Sequence, residues 1–162
     1  EMAKYHFLTG EDLTTLDLVE RIARCVELKA EVVAADEREG CRRALLNYGH
    51  TLAHAIEIAT DHAVTHGEAV GIGLVFAAEL AARTGRIDAE RVADHRAVVG
   101  DVYGLATELP AGVGTERLLE LIGHDKKNLT DGLTFVLDGP AGVEVVPGVD
   151  PAEARAALAA VR

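Results

Sequence analysis

The chain has 162 residues, enough for one domain with a substantial core, and its 49% hydrophobic and 27% charged residues are ordinary for a globular protein. A formal net charge of −11 argues against nucleic acid or an anionic membrane as a general partner. The sequence shows no secretory signal, and no apolar run reaches the roughly 20 residues of a membrane span. Two cysteines, Cys25 and Cys41, form no disulfide framework, which favours a reducing cytoplasm.

Aromatic residues make up only 4% of the chain and tryptophan is absent, so alanine, leucine and valine must build the core. This composition favours closely packed helices over a β-sandwich. The chain opens with Glu1 rather than methionine, and we expect it to be a piece of a longer polypeptide.

The first strong periodicity lies between Leu18 and Val33, where Ile22, Val26 and Val33 follow one stripe of a predicted helix. Lys29 falls on the same apolar stripe. A lysine in this position either extends its charged end to solvent or faces a cleft where it meets an anion.

A second helix is predicted over residues 43–59, with polar side chains at spacings of four, three, four and three. They lie within an arc of roughly 80° on one helical face. Its members are Arg43, Asn47, His50, His54 and Glu57. Solvated faces usually carry Lys, Glu and Gln rather than Asn and His, which are mediocre helix formers. We therefore interpret this stripe as functional.

The rest of the chain predicts a mainly α fold with a small β-hairpin near the C-terminus. A third helix, after His66-Gly67, is apolar nearly all round and should be buried. Shorter helices are predicted over 88–99 and 115–122, and strands over 133–137 and 143–146. Asp150 and Pro151 mark the start of the last helix. No G-x-G-x-x-G segment follows a strand, so a dinucleotide would have to be held mainly by another domain.

Histidines concentrate in one region, with four of the seven between residues 50 and 66. His50 and His54 lie one helical turn apart, and spacing alone favours His50, His54 and His66 as a zinc site with an open position. The glutamate of the zincin motif is missing, because Thr51 follows His50, which argues against a protease. His62 is interpreted as an ordinary loop residue.

Several segments in this order resemble the 3-dehydroquinate synthases and, more broadly, the sugar-phosphate cyclases. The resemblance covers nearly the whole chain but only the C-terminal part of the family's enzymes. The segments are Glu1-Met-Ala-Lys4, residues 27–33 and 36–39, Arg43 through Glu57, His66 through Val70, and Asp125-Lys-Lys-Asn128. Departures are Ala53, where the family commonly has Gly, and Cys41-Arg42; neither removes a proposed functional group.

The resemblance implies a zinc or cobalt ion bound by Glu1, His50 and His66. This set replaces the one favoured by spacing, and it gives His54 a role in proton transfer and substrate contact. The other residues implied in substrate binding or catalysis are Lys4, Lys29, Asn47, Arg43, one of Lys126 and Lys127, and Glu39 as a member of a proton relay.

The activity implied is the conversion of 3-deoxy-D-arabino-heptulosonate 7-phosphate, an anionic sugar-acid phosphate, to 3-dehydroquinate and phosphate. This step of the shikimate pathway towards aromatic amino acids uses NAD and a metal ion. The NAD-binding N-terminal domain is absent from the chain, so we expect the isolated fragment to be inactive. The resemblance also implies a homodimer.

Three alternatives stay open. A related cyclase could make 2-deoxy-scyllo-inosose, aminodehydroquinate or a valiolone-type product; the presence of both Asn47 and His54 favours dehydroquinate synthase. A non-catalytic helical domain could bind metal or mediate oligomerisation. An iron-dependent alcohol dehydrogenase-like protein fits poorly, because the segments around Lys29 and Lys126 speak against it.

Overall fold

The computed structural model of the chain describes residues 1–39, 42–124 and 132–162, and the side chains of residues 36–39 and 124 are not among those it describes. The helices are α1 (Met2–Thr9), α2 (Leu18–Glu39), α3 (His50–Ala59), α4 (His66–Arg83), α5 (Ala89–Ala97), α6 (Thr115–His124) and α7 (Pro151–Ala160). The strands are β1 (Leu133–Leu137) and β2 (Glu144–Val149), and the prediction of a mainly α fold with a C-terminal hairpin is confirmed. None of the helices in these ranges is both long and apolar enough to cross a membrane.

Helix α4 is the centre of the core, as predicted from its apolar sequence. It is buried over most of its length, and α3, α5, α7 and β1 pack around it. Thr65 and Glu68 form a capping box at its start, where the Thr65 backbone N–H donates to the Glu68 carboxylate over 3.0 Å. This cap fixes the point at which His66 opens the helix.

The prediction of one continuous helix over residues 43–59 is wrong. A 3₁₀ segment, Arg42–Asn47, ends in a turn, and α3 begins only at His50. Gly49 lies in that turn at a φ of 80°, a left-handed conformation that glycine adopts without steric cost. A Cβ atom at Gly73 would lie 2.0 Å from the Gly49 carbonyl oxygen, so the two glycines let the turn contact α4 directly. Arg43 and Asn47 therefore do not continue the face of α3.

Helix α2 is confirmed, but its apolar stripe does not face the core. Ile22 and Val26 are 48% and 63% exposed, whereas Cys25 and Leu28 are buried with Tyr5. The helix packs mainly against α1 and the 3₁₀ segment, which cover a narrow strip of its surface. Two apolar series run along α2, and only the partner elements decide which one is buried.

The C-terminal elements follow the prediction closely. Strands β1 and β2 pair antiparallel, with Val136 opposite Val145, and β2 runs on to residue 149. The Asp150 side chain caps α7 by accepting from the Ala152 N–H over 2.8 Å, with Pro151 in the first helical position. Helix α6 also confirms its prediction, and α5 continues into a short π-helix, Val98–Val102.

A buried polar group joins α5 to the hairpin. The His95 ring is fully buried and stacks on Phe7 at a centroid distance of 3.6 Å. Its Nδ1 donates to the Arg91 carbonyl oxygen over 2.8 Å, which leaves Nε2 to accept from the Tyr48 hydroxyl, also over 2.8 Å. Arg91 in turn donates to the nearly buried Asp138 carboxylate over 2.8 Å. Burial lowers the pKa of His95 to about 4, so the ring is neutral near pH 7.

Candidate functional site

Three helix starts bring one carboxylate and two imidazoles together. Glu1 precedes α1, His50 opens α3 and His66 opens α4. Within the described ranges, these three residues are the group whose potential metal-ligating atoms all lie within 4.8 Å of one another. Separate parts of the chain thus converge on one small volume.

The distances inside this group suit a shared cation. Glu1 Oε1 lies 2.8 Å from His50 Nε2 and 3.5 Å from His66 Nε2. Ligand atoms around a tetrahedral zinc ion, at bonds of 2.0–2.1 Å, lie about 3.3 Å apart. The two distances bracket this value.

The ring nitrogens of both histidines face only acceptors. His50 Nδ1 lies 3.0 Å from the Tyr48 carbonyl oxygen, and its Nε2 faces the Glu1 carboxylate. His66 Nδ1 lies 3.1 Å from Glu57 Oε1, and its Nε2 also faces Glu1. A neutral imidazole has one donor nitrogen, so each Nε2 requires either a second proton or a metal ion. One divalent cation among the three atoms satisfies both rings.

Lys4 lies behind Glu1 rather than in an open cavity. Its side chain is 3% exposed, and its ammonium donates to Glu1 Oε2 over 2.7 Å and to the Leu46 carbonyl oxygen over 3.0 Å. The contact with His50, and then the Lys4 ammonium, hold the pKa of Glu1 well below its usual value, against the effect of partial burial. Burial lowers the pKa of Lys4, the Glu1 carboxylate opposes that shift, and the Lys29 charge adds to it.

His54 lies beside the carboxylate–imidazole group without joining it. Its ring centroid is 5.8 Å from that of His50 and 6.3 Å from that of His66, and the group within 4.8 Å does not include it. The arrangement therefore favours the set implied by family resemblance over the set favoured by spacing. A cavity of about 200 Å³ next to the group is lined by Asn47, His50 and His54 together with β1 and β2 side chains.

The sequence analysis did not predict that Glu57 contacts the site. Its carboxylate holds His66 Nδ1 over 3.1 Å and is 16% exposed. The polar stripe included Glu57, seven positions after His50, and this spacing was the only signal available. Its contact depends on the turn that joins α3 to α4, which the stripe alone does not specify.

The remaining predicted residues are spread more widely. Lys29 and Arg43 are both exposed, and neither lines the cavity beside His54. The Glu39 side chain lies outside the described part of the structure, as do Lys126 and Lys127. Their predicted contacts with substrate stay predictions.

Sequence comparison places the chain among the cyclases. Residues 1–128 match the family described as 3-dehydroquinate synthase C-terminal. A protein of Amycolatopsis mediterranei (strain S699), provisionally named aminodehydroquinate synthase, is 52% identical over 92% of this chain and 42% of its own length. The 3-dehydroquinate synthase of Thermobifida fusca (strain YX) is 48% identical over 86% of this chain and 37% of its own. That of Mycolicibacterium gilvum (strain PYR-GCK) is 46% identical over 89% and 40%.

Solved structures agree with this placement. A 2-deoxy-scyllo-inosose synthase, solved with carbaglucose-6-phosphate, NAD⁺ and Co²⁺, superposes with a TM-score of 0.75 at 25% identity, over 88% of this chain and 40% of that one. The chain thus spans about 40% of the length of the relatives it matches. With the family match over residues 1–128, this shows that the chain belongs to the 3-dehydroquinate synthase C-terminal family.

Proposed function

We propose that the chain is the metal- and substrate-binding domain of a 3-dehydroquinate synthase, which converts 3-deoxy-D-arabino-heptulosonate 7-phosphate to 3-dehydroquinate and phosphate. The observation that carries the proposal is the convergence of Glu1, His50 and His66, whose potential ligand atoms lie within 4.8 Å of one another and can share one cation. The cavity beside them carries the side chains that a hydroxylated substrate needs.

Glu1, His50 and His66 would hold a zinc or cobalt ion. Two imidazoles and one carboxylate leave a fourth position open, as in catalytic rather than structural zinc sites. Bound there, the metal would supply Lewis acidity that orients a substrate hydroxyl and lowers its pKa. The Co²⁺ in the 2-deoxy-scyllo-inosose synthase structure supports a divalent ion in the family.

The chain's own residues would bind substrate and move protons. Asn47 can donate and accept hydrogen bonds with substrate hydroxyls, and the His54 imidazole can accept or donate a proton in general acid–base catalysis. Lys4, Lys29, Arg43 and one of Lys126 and Lys127 would bind the carboxylate and phosphate of the substrate. Glu1 and Leu46 engage two of the three Lys4 donors and the side chain is buried, so Lys4 would contact substrate through at most one donor, beside Glu1. Glu39 would belong to the proton relay.

We further propose that an NAD-binding domain outside these 162 residues completes the enzyme. The relatives are more than twice as long as the matched region, and NAD would supply the transient oxidation and reduction of the substrate. The isolated chain would therefore be inactive. The complete enzyme would be a cytoplasmic homodimer.

A second candidate is aminodehydroquinate synthase. The relative with that name is 52% identical to this chain, compared with 46–48% for 3-dehydroquinate synthases from Mycolicibacterium and Thermobifida. The two activities would share the metal site and differ in whether the substrate carries an amino group. The metal ligands cannot distinguish them.

The test is phosphate release by the full-length enzyme, supplied with NAD and zinc, on the heptulosonate phosphate and on its amino analogue. Faster turnover of the heptulosonate phosphate supports dehydroquinate synthase, and faster turnover of the amino analogue supports the second candidate. Release from neither substrate, with zinc bound, contradicts both. Phosphate release from the heptulosonate phosphate by the isolated chain would contradict the need for a second domain.

A further inference from the structure

Glu57 lies two helical turns after His50 on α3, and its carboxylate reaches across to the first residue of α4. We propose that Glu57 is a positioning residue for His66: it holds Nδ1–H and so keeps Nε2 directed at the cation position beside Glu1. The inference rests on the proposed metal site. It concerns a residue outside the group of Glu1, His50 and His66 and outside the cavity lined by Asn47 and His54.

His66 needs such an anchor more than His50 does. The His66 side chain is 44% exposed, compared with 12% for His50. His50 Nδ1 is held by the Tyr48 carbonyl, which belongs to the backbone and cannot rotate away. The only other polar contact of His66 within the described ranges is the one to Glu1 itself. Without Glu57, the half-exposed ring could turn about its broad χ2 minimum and present either nitrogen to solvent.

The chemistry of the anchor also matters. An ionised carboxylate accepts hydrogen bonds but cannot donate them, so its contact with Nδ1 selects the tautomer that carries hydrogen on Nδ1 and leaves the Nε2 lone pair free. A charged acceptor binds more strongly than a carbonyl and makes the imidazole a more basic ligand. Carboxylate–histidine–metal arrangements of this kind typically change metal affinity 10–100-fold when the carboxylate is removed. Glu57 therefore contributes to metal binding from outside the coordination sphere.

The experiment compares Zn²⁺ and Co²⁺ binding by the purified wild-type chain with binding by Glu57→Ala and Glu57→Gln. Dissociation constants come from competition with a chelator, and the Co²⁺ absorption spectrum reports the ligand geometry. We expect affinity to fall roughly 10–100-fold in Glu57→Ala, with an altered Co²⁺ spectrum. Glu57→Gln should lose less, because its amide oxygen still accepts from Nδ1 but carries no charge.

The matched control is Glu90→Gln, which removes the same charge from an exposed position at the start of α5. Its metal affinity should equal that of the wild type. Circular dichroism and thermal unfolding check that each variant keeps its fold; if Glu57→Ala unfolds, Glu57→Gln decides. Wild-type affinity within about threefold, with an unchanged Co²⁺ spectrum, contradicts the positioning role. If the folded wild-type chain itself binds no metal, the result contradicts the proposed metal site. If the wild type binds metal and the Glu57 variants bind it equally well, only the positioning role is contradicted.

Discussion

Tyr48 contacts two histidines, the buried His95 and His50 of the candidate metal site. The two rings differ in the hydrogen-bond partners of their nitrogens. In the buried group, the Tyr48 hydroxyl donates to His95, and His95 donates to the Arg91 carbonyl. In the half-exposed group, the Tyr48 carbonyl accepts from His50, whose other nitrogen faces the Glu1 carboxylate. His95 has one donor partner and one acceptor partner, whereas His50 has two acceptors.

This difference separates a structural histidine from a candidate ligand. A neutral imidazole offers one donor and one acceptor, which satisfies His95 completely in the core. The same neutral ring at His50 or His66 would direct a lone pair at a carbonyl or carboxylate oxygen. His95 is the most buried of these histidines, but the hydrogen-bond partners mark the group around His50 and His66 as the one that can take up a cation. The following predictions test this distinction.

The largest effect is expected from removing a ligand. His50→Ala and His66→Ala should each weaken zinc binding by roughly 100-fold or more, because loss of a direct ligand exceeds the 10–100-fold typical of its hydrogen-bond partners. Metal analysis by mass spectrometry after dialysis measures this. His62→Ala, which changes an exposed histidine of the same region, is the control and should keep its zinc. If both variants retain stoichiometric zinc, the result contradicts the proposed ligands and supports the alternative of a non-catalytic helical domain.

Gly73→Ala should damage the site and the core together. The added Cβ would meet the Gly49 carbonyl at 2.0 Å and force the turn between Tyr48 and His50 away from α4. We expect the free energy of unfolding to fall by about 1–3 kcal/mol or more, with weaker zinc binding as well. Urea unfolding and zinc competition measure the two effects. Gly67→Ala, in the same helix with open space around it, is the control; equal behaviour of the two variants would contradict the close approach.

His95→Leu should affect stability while sparing the metal. The buried Tyr48 hydroxyl would lose its acceptor, at a cost of about 1–3 kcal/mol in the free energy of unfolding. Adding Tyr48→Phe should recover part of that loss, since no unpaired hydroxyl then remains. Urea unfolding of both variants measures this, alongside zinc affinity. A loss of zinc as large as that in His50→Ala would show that the two groups are not separable.

The smallest effect is a pH dependence of stability. Burial lowers the pKa of His95 from 6.5 to about 4, so between these values the unfolded chain binds more protons than the folded one. Folding stability contributed by this ring is complete above pH 6.5 and is lost as pH falls towards 4. The groups facing it are Tyr48, Arg91 and Asp138. Urea unfolding at pH 7 and pH 5 should show a smaller decrease in His95→Leu than in the wild type; equal decreases would contradict this.

Much of the fold could be predicted from the sequence because the signals are local. The apolar run after His66 predicts a buried helix, and the Asp150-Pro151 pair predicts the start of α7; both are confirmed. The prediction of one continuous helix through Tyr48 was wrong. No local sequence pattern shows that Gly49 adopts a left-handed conformation, which lets its carbonyl oxygen contact Gly73. The sequence did not specify which face of α2 is buried, because two apolar series run along the helix and only the partner elements choose between them.

The sequence by itself determined the residue types of the site and the family resemblance, because both are read from residue identity and spacing along segments between Glu1 and Asn128. It could not determine from spacing that Glu1 rather than His54 completes the group with His50 and His66. That choice depends on where α1, α3 and α4 begin relative to one another in space. The tertiary structure decided it, together with the contact between Glu57 and His66, because contacts between residues in different helices follow from helix packing and not from any local pattern.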